Sequence, residues 1–326
     1  GALAMASQRA LLRSSVPHVR GGAQRAARGS GRRRCGVRSC DANDGAGAGA
    51  PTTLLERILK RKRMTLEARL EALGGLEGLQ ELMLDTPPVS PPNRLANAVA
   101  ARSLAGRLAV VAEVCEPTPH TGGEAVASAA RAWEAAGADA ISVWTDEEYT
   151  PAGEEDLRAV ARATKLPVML CDYVLHPLQL VSALKSGACA APLVAQILRG
   201  QALPTLAGFV RPAGMDVVVE CVNAADVKAA EEAGVALYGV GLSVGLSLGG
   251  IPGAREQIVR GLLAELPFGA FSLVGVSSSL AEIRQAREAG ADAIVLKRSI
   301  LNEGELRGLT PQQVLEAIEP IITGDD

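Results

Sequence analysis

The stretch VMLCDYVL, residues 168–175, reads as a buried strand that presents a thiol (Cys171), a carboxylate (Asp172) and a phenol (Tyr173) at its carboxyl end. LAVVAEVC (108–115) carries Glu113 and Cys115 two residues apart, so strand alternation places both on one face. DVVVEC (216–221) closes on Glu220, AISVWT (140–145) runs into Thr145 and Asp146, and AIVLKR (293–298) closes on Lys297 and Arg298 with Ser299 behind them. Carboxylates, thiols and cations at neighbouring strand ends are the ingredients of acid–base or nucleophilic chemistry. The thiols also have a plain reading, because a free cysteine packs as a small buried hydrophobe. His120 and His176 fall in loops on the same side, but neither is placed by sequence next to a cysteine. The six cysteines form no CxxC pair and suit neither a zinc site nor a disulfide scaffold, so no metal is expected and most thiols are read as reduced.

The elements that must position these residues recur. Eight short apolar runs are read as strands: 108–115, 140–145, 167–173, 188–195, 216–221, 236–241, 270–276 and 293–298. Helical stretches such as GEAVASAARAWEAA and LAEIRQAREA separate them. Continuous apolar strands alternating with helices imply a parallel sheet covered on both sides. Eight units in about 220 residues fit a closed (β/α)8 TIM barrel, an α/β fold whose functional groups gather at the carboxyl ends of the strands. No GxGxxG follows the first strand, which weakens an open dinucleotide-binding sheet and gives no reason to expect a cofactor. Ahead of the barrel, LLERILKRKRMTLEARLEAL (54–73) repeats apolar residues three and four apart and reads as an extra helix. LDTPPVSPPN (84–93) then breaks the pattern with four prolines.

Composition sets outer bounds. The 326 residues are 48% hydrophobic but only 2% aromatic, so the core must be packed from Ala, Val, Leu and Ile. No apolar run reaches the roughly 18 residues that span a bilayer. The net charge of -3 hides an asymmetry: residues 1–40 hold nine arginines and no acid, leaving 24 basic against 36 acidic residues, a net -12, in residues 41–326. Residues 1–40 are read as an organellar transit peptide and 41–52 as a flexible linker. A barrel unit follows over 53–326, its N-terminal helical extension covering 53–107. A basic nucleic-acid arm is the competing reading of the N-terminus, but it lacks aromatic residues and precedes an acidic body, so no nucleic-acid partner is expected. The glycine-rich GVGLSVGLSLGGIPG (239–253) could cradle an anion, but it has no P-loop lysine and reads better as a mobile loop.

Specific motifs then point to a family. AVVAEVCEPTPHTGG, ISVWTDEEYTPAGEEDLRAV, LPVMLCDYVLHPLQLVSALKSGACA and VVVECVNAADVKAAEEAG resemble, in order and spacing, units of indole-3-glycerol-phosphate synthase, and LLERILKRKR resembles its extra N-terminal helix. The resemblance spans roughly residues 53–322. It implies ring closure, decarboxylation and dehydration of a carboxyphenylamino-deoxyribulose phosphate in tryptophan biosynthesis, the work of a carbon–carbon lyase. It also implies that Glu113 and Glu220 hold the two catalytic glutamate positions and that Asp172 is kept. Cys115 and Cys171 stand where a substrate-binding and a general-acid lysine are expected. YGVGLSV replaces GINNRDL, so Gly241 and Ser243 stand for the Asn and Arg. SLVGV replaces SESGI, with Leu273 and Val274 for the Glu and Ser and with Gly275 kept. LKRSI replaces VGESL at the eighth strand.

Gly275, Lys297, Arg298 and Ser299 are thereby the candidate phosphate binders. With a general acid alone worth about 10²–10⁴-fold, the expectation is a divergent, pseudoenzyme-like barrel with lost or strongly reduced synthase activity and a binding or assembly role. An active synthase and a repurposed enzyme acting on another phosphorylated small molecule are the alternatives. A larger protein assembly is the partner considered. The pathway resemblance favours plastid (chloroplast) over mitochondrion.

Overall fold

A computed structural model describes residues 54–115, 122–146, 150, 152–243 and 254–325. The expected transit segment and linker lie outside the described residues, as do His120 and residues 244–253 of the glycine-rich stretch. Eight parallel strands close into a barrel in sequence order. They are β1 (Ala109–Val114), β2 (Ala140–Trp144), β3 (Val168–Cys171), β4 (Ala190–Val194), β5 (Asp216–Glu220), β6 (Leu237–Val240), β7 (Phe271–Val276) and β8 (Ala293–Leu296). All eight expected strands are present, and β8 pairs with β1 to close the ring.

Three helices precede the barrel: α1 (Leu54–Ala72), α2 (Gly75–Leu84) and α3 (Arg94–Leu104). Between the strands run α4 (Glu124–Ala136), α5 (Gly153–Ala163), α6 (Pro177–Lys185), α7 (Ala202–Val210), α8 (Ala224–Glu232), α9 (Ala254–Ala264) and α10 (Leu280–Glu288). The short α11 (Arg298–Asn302) and the longer α12 (Pro311–Thr323) close the chain.

Strand alternation divides the core in two. One set of positions, including Ala109, Val111, Met169, Val218, Leu273, Ala293 and Val295, fills the barrel interior. The alternate set, including Val110, Ala112, Ile141, Leu170, Val219, Ile294 and Leu296, meets the helical layer. Leu95 and Val99 of α3 join the interior cluster and plug the end from which the strands start. The sequence gives α3 no side-chain cap of its own at Asn93. Asp216, opening β5, supplies one: its carboxylate accepts from the N–H groups of Leu95 (2.8 Å) and Ala96 (3.2 Å). At the opposite end α1 lies across the mouth, where Ile58 and Leu59 pack on Tyr173 and Val194.

Candidate functional site

The interior parity continues past the packed layers and decides which polar side chains reach the mouth. Glu113 follows Ala109 and Val111, Cys171 follows Met169, and Glu220 follows Val218. Lys297 follows Ala293 and Val295 by the same rule, although β8 has ended at Leu296. A small cavity of about 40 Å³ is lined by Glu113, Ser142, Trp144, Cys171, Tyr173, Ser243 and Lys297 and is roofed by Ile58 of α1.

Within it the charges are paired with one another. The Lys297 ammonium lies 2.8 Å from Glu113 Oε2 and also donates to the Leu242 carbonyl. Glu113 Oε1 accepts from the Arg298 backbone N–H at 2.9 Å, and the Cys171 thiol lies 3.7 Å from Oε2. Both members of the ion pair are buried, Lys297 at 8% and Glu113 at 4% exposure. Burial pulls the Lys297 ammonium down, but Glu113 and its neighbours outweigh it and its pKa is raised. Glu220 is fully buried and accepts from the backbone N–H groups of Leu242 (2.9 Å) and Ser243 (3.0 Å) and from the Ser243 hydroxyl. Burial nevertheless raises its pKa.

The thiols are not activated. Burial, then the Glu113 carboxylate, pushes Cys171 well above the ordinary thiol range. Cys115 is raised as well, burial outweighing the Arg298 guanidinium that donates to its Sγ at 3.5 Å. A nucleophilic thiol needs the opposite shift. Cys115 also stands apart from the mouth cavity, beside an Arg298 side chain stacked over Trp144 at 4.8 Å. His176 serves neither thiol: its Nδ1 accepts from Leu178 N–H at 3.1 Å and caps α6. Among the described residues no His, Cys, Asp and Glu group is arranged to hold a metal.

Asp172 and Tyr173 lie beyond the end of β3 rather than within it. The Asp172 carboxylate is bound by Lys62 of α1 at 2.6 Å, by the Tyr173 N–H at 2.7 Å and by Gln179 at 3.3 Å. Lys62 also reaches Asp146 Oδ2 at 3.1 Å, and Arg61 reaches Oδ1 of the same carboxylate at 3.1 Å. Two buried aspartates from neighbouring strand ends therefore hold α1 down through one buried lysine. Lys62 has no counterpart in the sequence-level candidates, since a lysine in a charge-rich helix carries no mark of burial. The inward place of Lys297 was visible in the alternation 293, 295, 297.

The phosphate candidates are placed as follows. A Cβ on Gly275 would meet the Gly241 carbonyl oxygen at 2.1 Å, so β7 requires glycine there to pass the loop after β6. The Gly275 carbonyl accepts from Arg255. Lys297 and the Arg298 N–H are engaged with Glu113, and the Ser299 carbonyl accepts from Glu303 and Gly304 at 2.9 Å each. In the loop after β7, the Ser277 N–H donates to Glu282 Oε2 at 2.7 Å, the Ser278 hydroxyl joins the same carboxylate, and Arg255 lies 3.5 Å away. The loops after β7 and β8, where barrels commonly hold a phosphate, thus present donors already bound to the chain's own carboxylates.

With this geometry in view, the comparisons are specific. A family model described as indole-3-glycerol phosphate synthase matches residues 55–242. The indole-3-glycerol phosphate synthase of Deinococcus radiodurans is 33% identical over 213 residues, 62% of this chain and 76% of that protein. The protein of the same name from Rhodococcus jostii is 30% identical over 259 residues, 78% of this chain and 92% of that one. Among solved structures, the tryptophan synthase alpha chain from Legionella pneumophila subsp. pneumophila superposes with a TM-score of 0.53 at 15% identity, covering 71% of this chain and 96% of that one. The last is a likeness of fold alone.

Proposed function

The chain belongs to the indole-3-glycerol phosphate synthase family, and from that premise we propose that its own synthase activity is lost or strongly reduced and that the barrel serves in binding or assembly. The observation that carries this reading is the closed ion pair in the mouth. Lys297 and Glu113 neutralise each other at 2.8 Å in a cavity of about 40 Å³. Small-molecule sites usually need about 300–1,000 Å³. An efficient general acid has a pKa near the working pH. Lys297 is held above its ordinary value by Glu113, and Cys171 is pushed up by burial, so both keep their protons. The donors after β7 and β8 that would meet a substrate phosphate are bound to Glu282 and Glu113.

A working synthase with a relocated acid is the second reading, favoured by the arrival of the Lys297 ammonium beside Cys171, where the resemblance expects a lysine. One assay separates the two. Formation of indole glycerol phosphate from the carboxyphenylamino-deoxyribulose phosphate is followed by indole fluorescence for the full chain, for the Deinococcus relative and for Cys115→Lys/Cys171→Lys/Lys297→Gly. The expected rate of the unaltered chain is at least about 10²-fold below the relative, the lower end of what one general acid contributes. A rate within that factor sinks the proposal, and its loss in Lys297→Met then assigns the acid to Lys297. The same reading places the protein in a plastid, supported by the arginine-rich, acid-free residues 1–40. A fluorescent fusion retained in the cytosol would remove that part.

A further inference from the structure

Two different faces run along α1 where it crosses the barrel mouth. Ile58, Leu59, Lys62 and Leu66 are buried against the barrel. The opposite face is exposed from end to end and returns every three or four residues as Arg57, Lys60, Met64, Glu67, Ala68 and Glu71. Its centre is apolar, since Met64 is 63% exposed. Along this stripe the cations precede Met64 and the acids follow it, with Glu56 and Arg63 at the edges. We propose that this face binds a second copy of the chain, two α1 helices packing antiparallel about a two-fold axis at Met64. The inference rests on the assembly half of the proposed function and not on the loss of turnover.

Three observations favour a copy of the chain over another partner. First, the stripe is complementary to its own reverse. In an antiparallel pair Arg57 faces the partner's Glu71 and Lys60 faces the partner's Glu67, and the two-fold axis repeats both pairs. A nucleic acid or an anionic membrane would suit the cations and be repelled by the acids. Second, these four charges are unanswered. Arg57, Lys60, Glu67 and Glu71 make no ion pair or side-chain hydrogen bond among the described residues, whereas Arg61, Lys62 and Arg69 of the same helix are tied to Asp146, Asp172 and Glu154. Glu56, at the edge, is already engaged. Third, the order of the stripe is the one a helix dipole disfavours, with Arg57 in the first turn and Glu71 in the last. Glu67 and Glu71 also repel each other one turn apart, and a partner's cations would relieve that repulsion. Ala68 and Ala72, small and exposed, leave room for the second helix. The 19 residues of α1 span roughly 28 Å, so the contact is small and the association weak and reversible.

The test is sedimentation equilibrium of the full chain with two charge-reversed variants, Arg57→Glu/Lys60→Glu and Glu67→Lys/Glu71→Lys. The unaltered chain should form a dimer with a Kd of about 10–100 µM, weakened at least about 5-fold between about 0.05 and about 0.5 M salt. Each variant alone should be at least about 10-fold weaker, because like charges then meet across the axis. An equimolar mixture of the two should regain the dimer, since every reversed charge again faces its opposite. That recovery also shows that both variants are folded. A monomer up to about 200 µM, a species larger than a dimer, variants that associate like the parent, or a mixture that stays monomeric overturns the proposal. Sedimentation and synthase turnover are read separately, so a turnover result that sinks the loss of activity leaves this one standing.

Discussion

Replacing Lys297 with methionine tests whether the mouth is held together by its own charges. The substitution keeps most of the side-chain volume and removes the ammonium, leaving Glu113 buried with, among the described residues, the Arg298 N–H at 2.9 Å and the Cys171 thiol at 3.7 Å. Removing one partner of a buried ion pair costs about 3–5 kcal/mol, because the other charge stays desolvated. At roughly 2–4 °C per kcal/mol for a domain of this size, the melting temperature should fall by about 6–20 °C. Lys297→Met/Glu113→Gln removes both charges and should recover most of the loss, since exchanging a buried pair for neutral groups is often near neutral. Urea or calorimetric melts of the parent, both single variants and the double variant give the coupling energy. A loss below about 1 kcal/mol in Lys297→Met, or single losses that simply add in the double variant, would refute the counter-ion role. The lysine would then be free to serve a ligand.

Two further outcomes follow from the same geometry. Burial raises the Glu220 pKa, so the folded state holds that proton more tightly than the unfolded chain; its favourable contribution is full below about pH 4.5 and is lost as pH rises through the folded value. Glu220→Gln should therefore gain stability relative to the parent as the pH of urea melts is raised above about 4.5, and a gap that moves the other way removes the argument. Lys62→Met strips the bridge between Asp146 and Asp172 and should cost about 3 kcal/mol. Hydrogen exchange should accelerate across residues 54–72 while α5 stays protected, and equal acceleration of both would mean that α1 is not fastened locally.

Most of the fold was legible because it rests on local signals. Helices ending on glycine followed at once by short apolar strands required a parallel α/β sheet, and their number closed it into a barrel. The residue types at the strand ends were legible too: two-residue alternation turns Glu113, Cys171 and Glu220 inward, the first two onto the mouth cavity and Glu220 onto Leu242 and Ser243. Alternation also placed Lys297 inside, yet adjacency to Arg298 made the pair read as one basic patch for the phosphate loops. The structure separates them, with Lys297 on Glu113 and the side chain of Arg298, which opens α11, over Trp144.

What the sequence by itself determined is the family, the barrel and the chemical identity of its strand ends, because periodicity and motif order are properties of neighbours along the chain. What only the tertiary structure decided is how the charges are answered. Lys62 meets Asp146 and Asp172 across 84 and 110 residues of chain, and Lys297 meets Glu113 across 184, distances over which sequence order carries no record of contact. An ion pair depends on separation in space and on the exclusion of water, and both arise only when α1 seats on the mouth and β8 closes against β1.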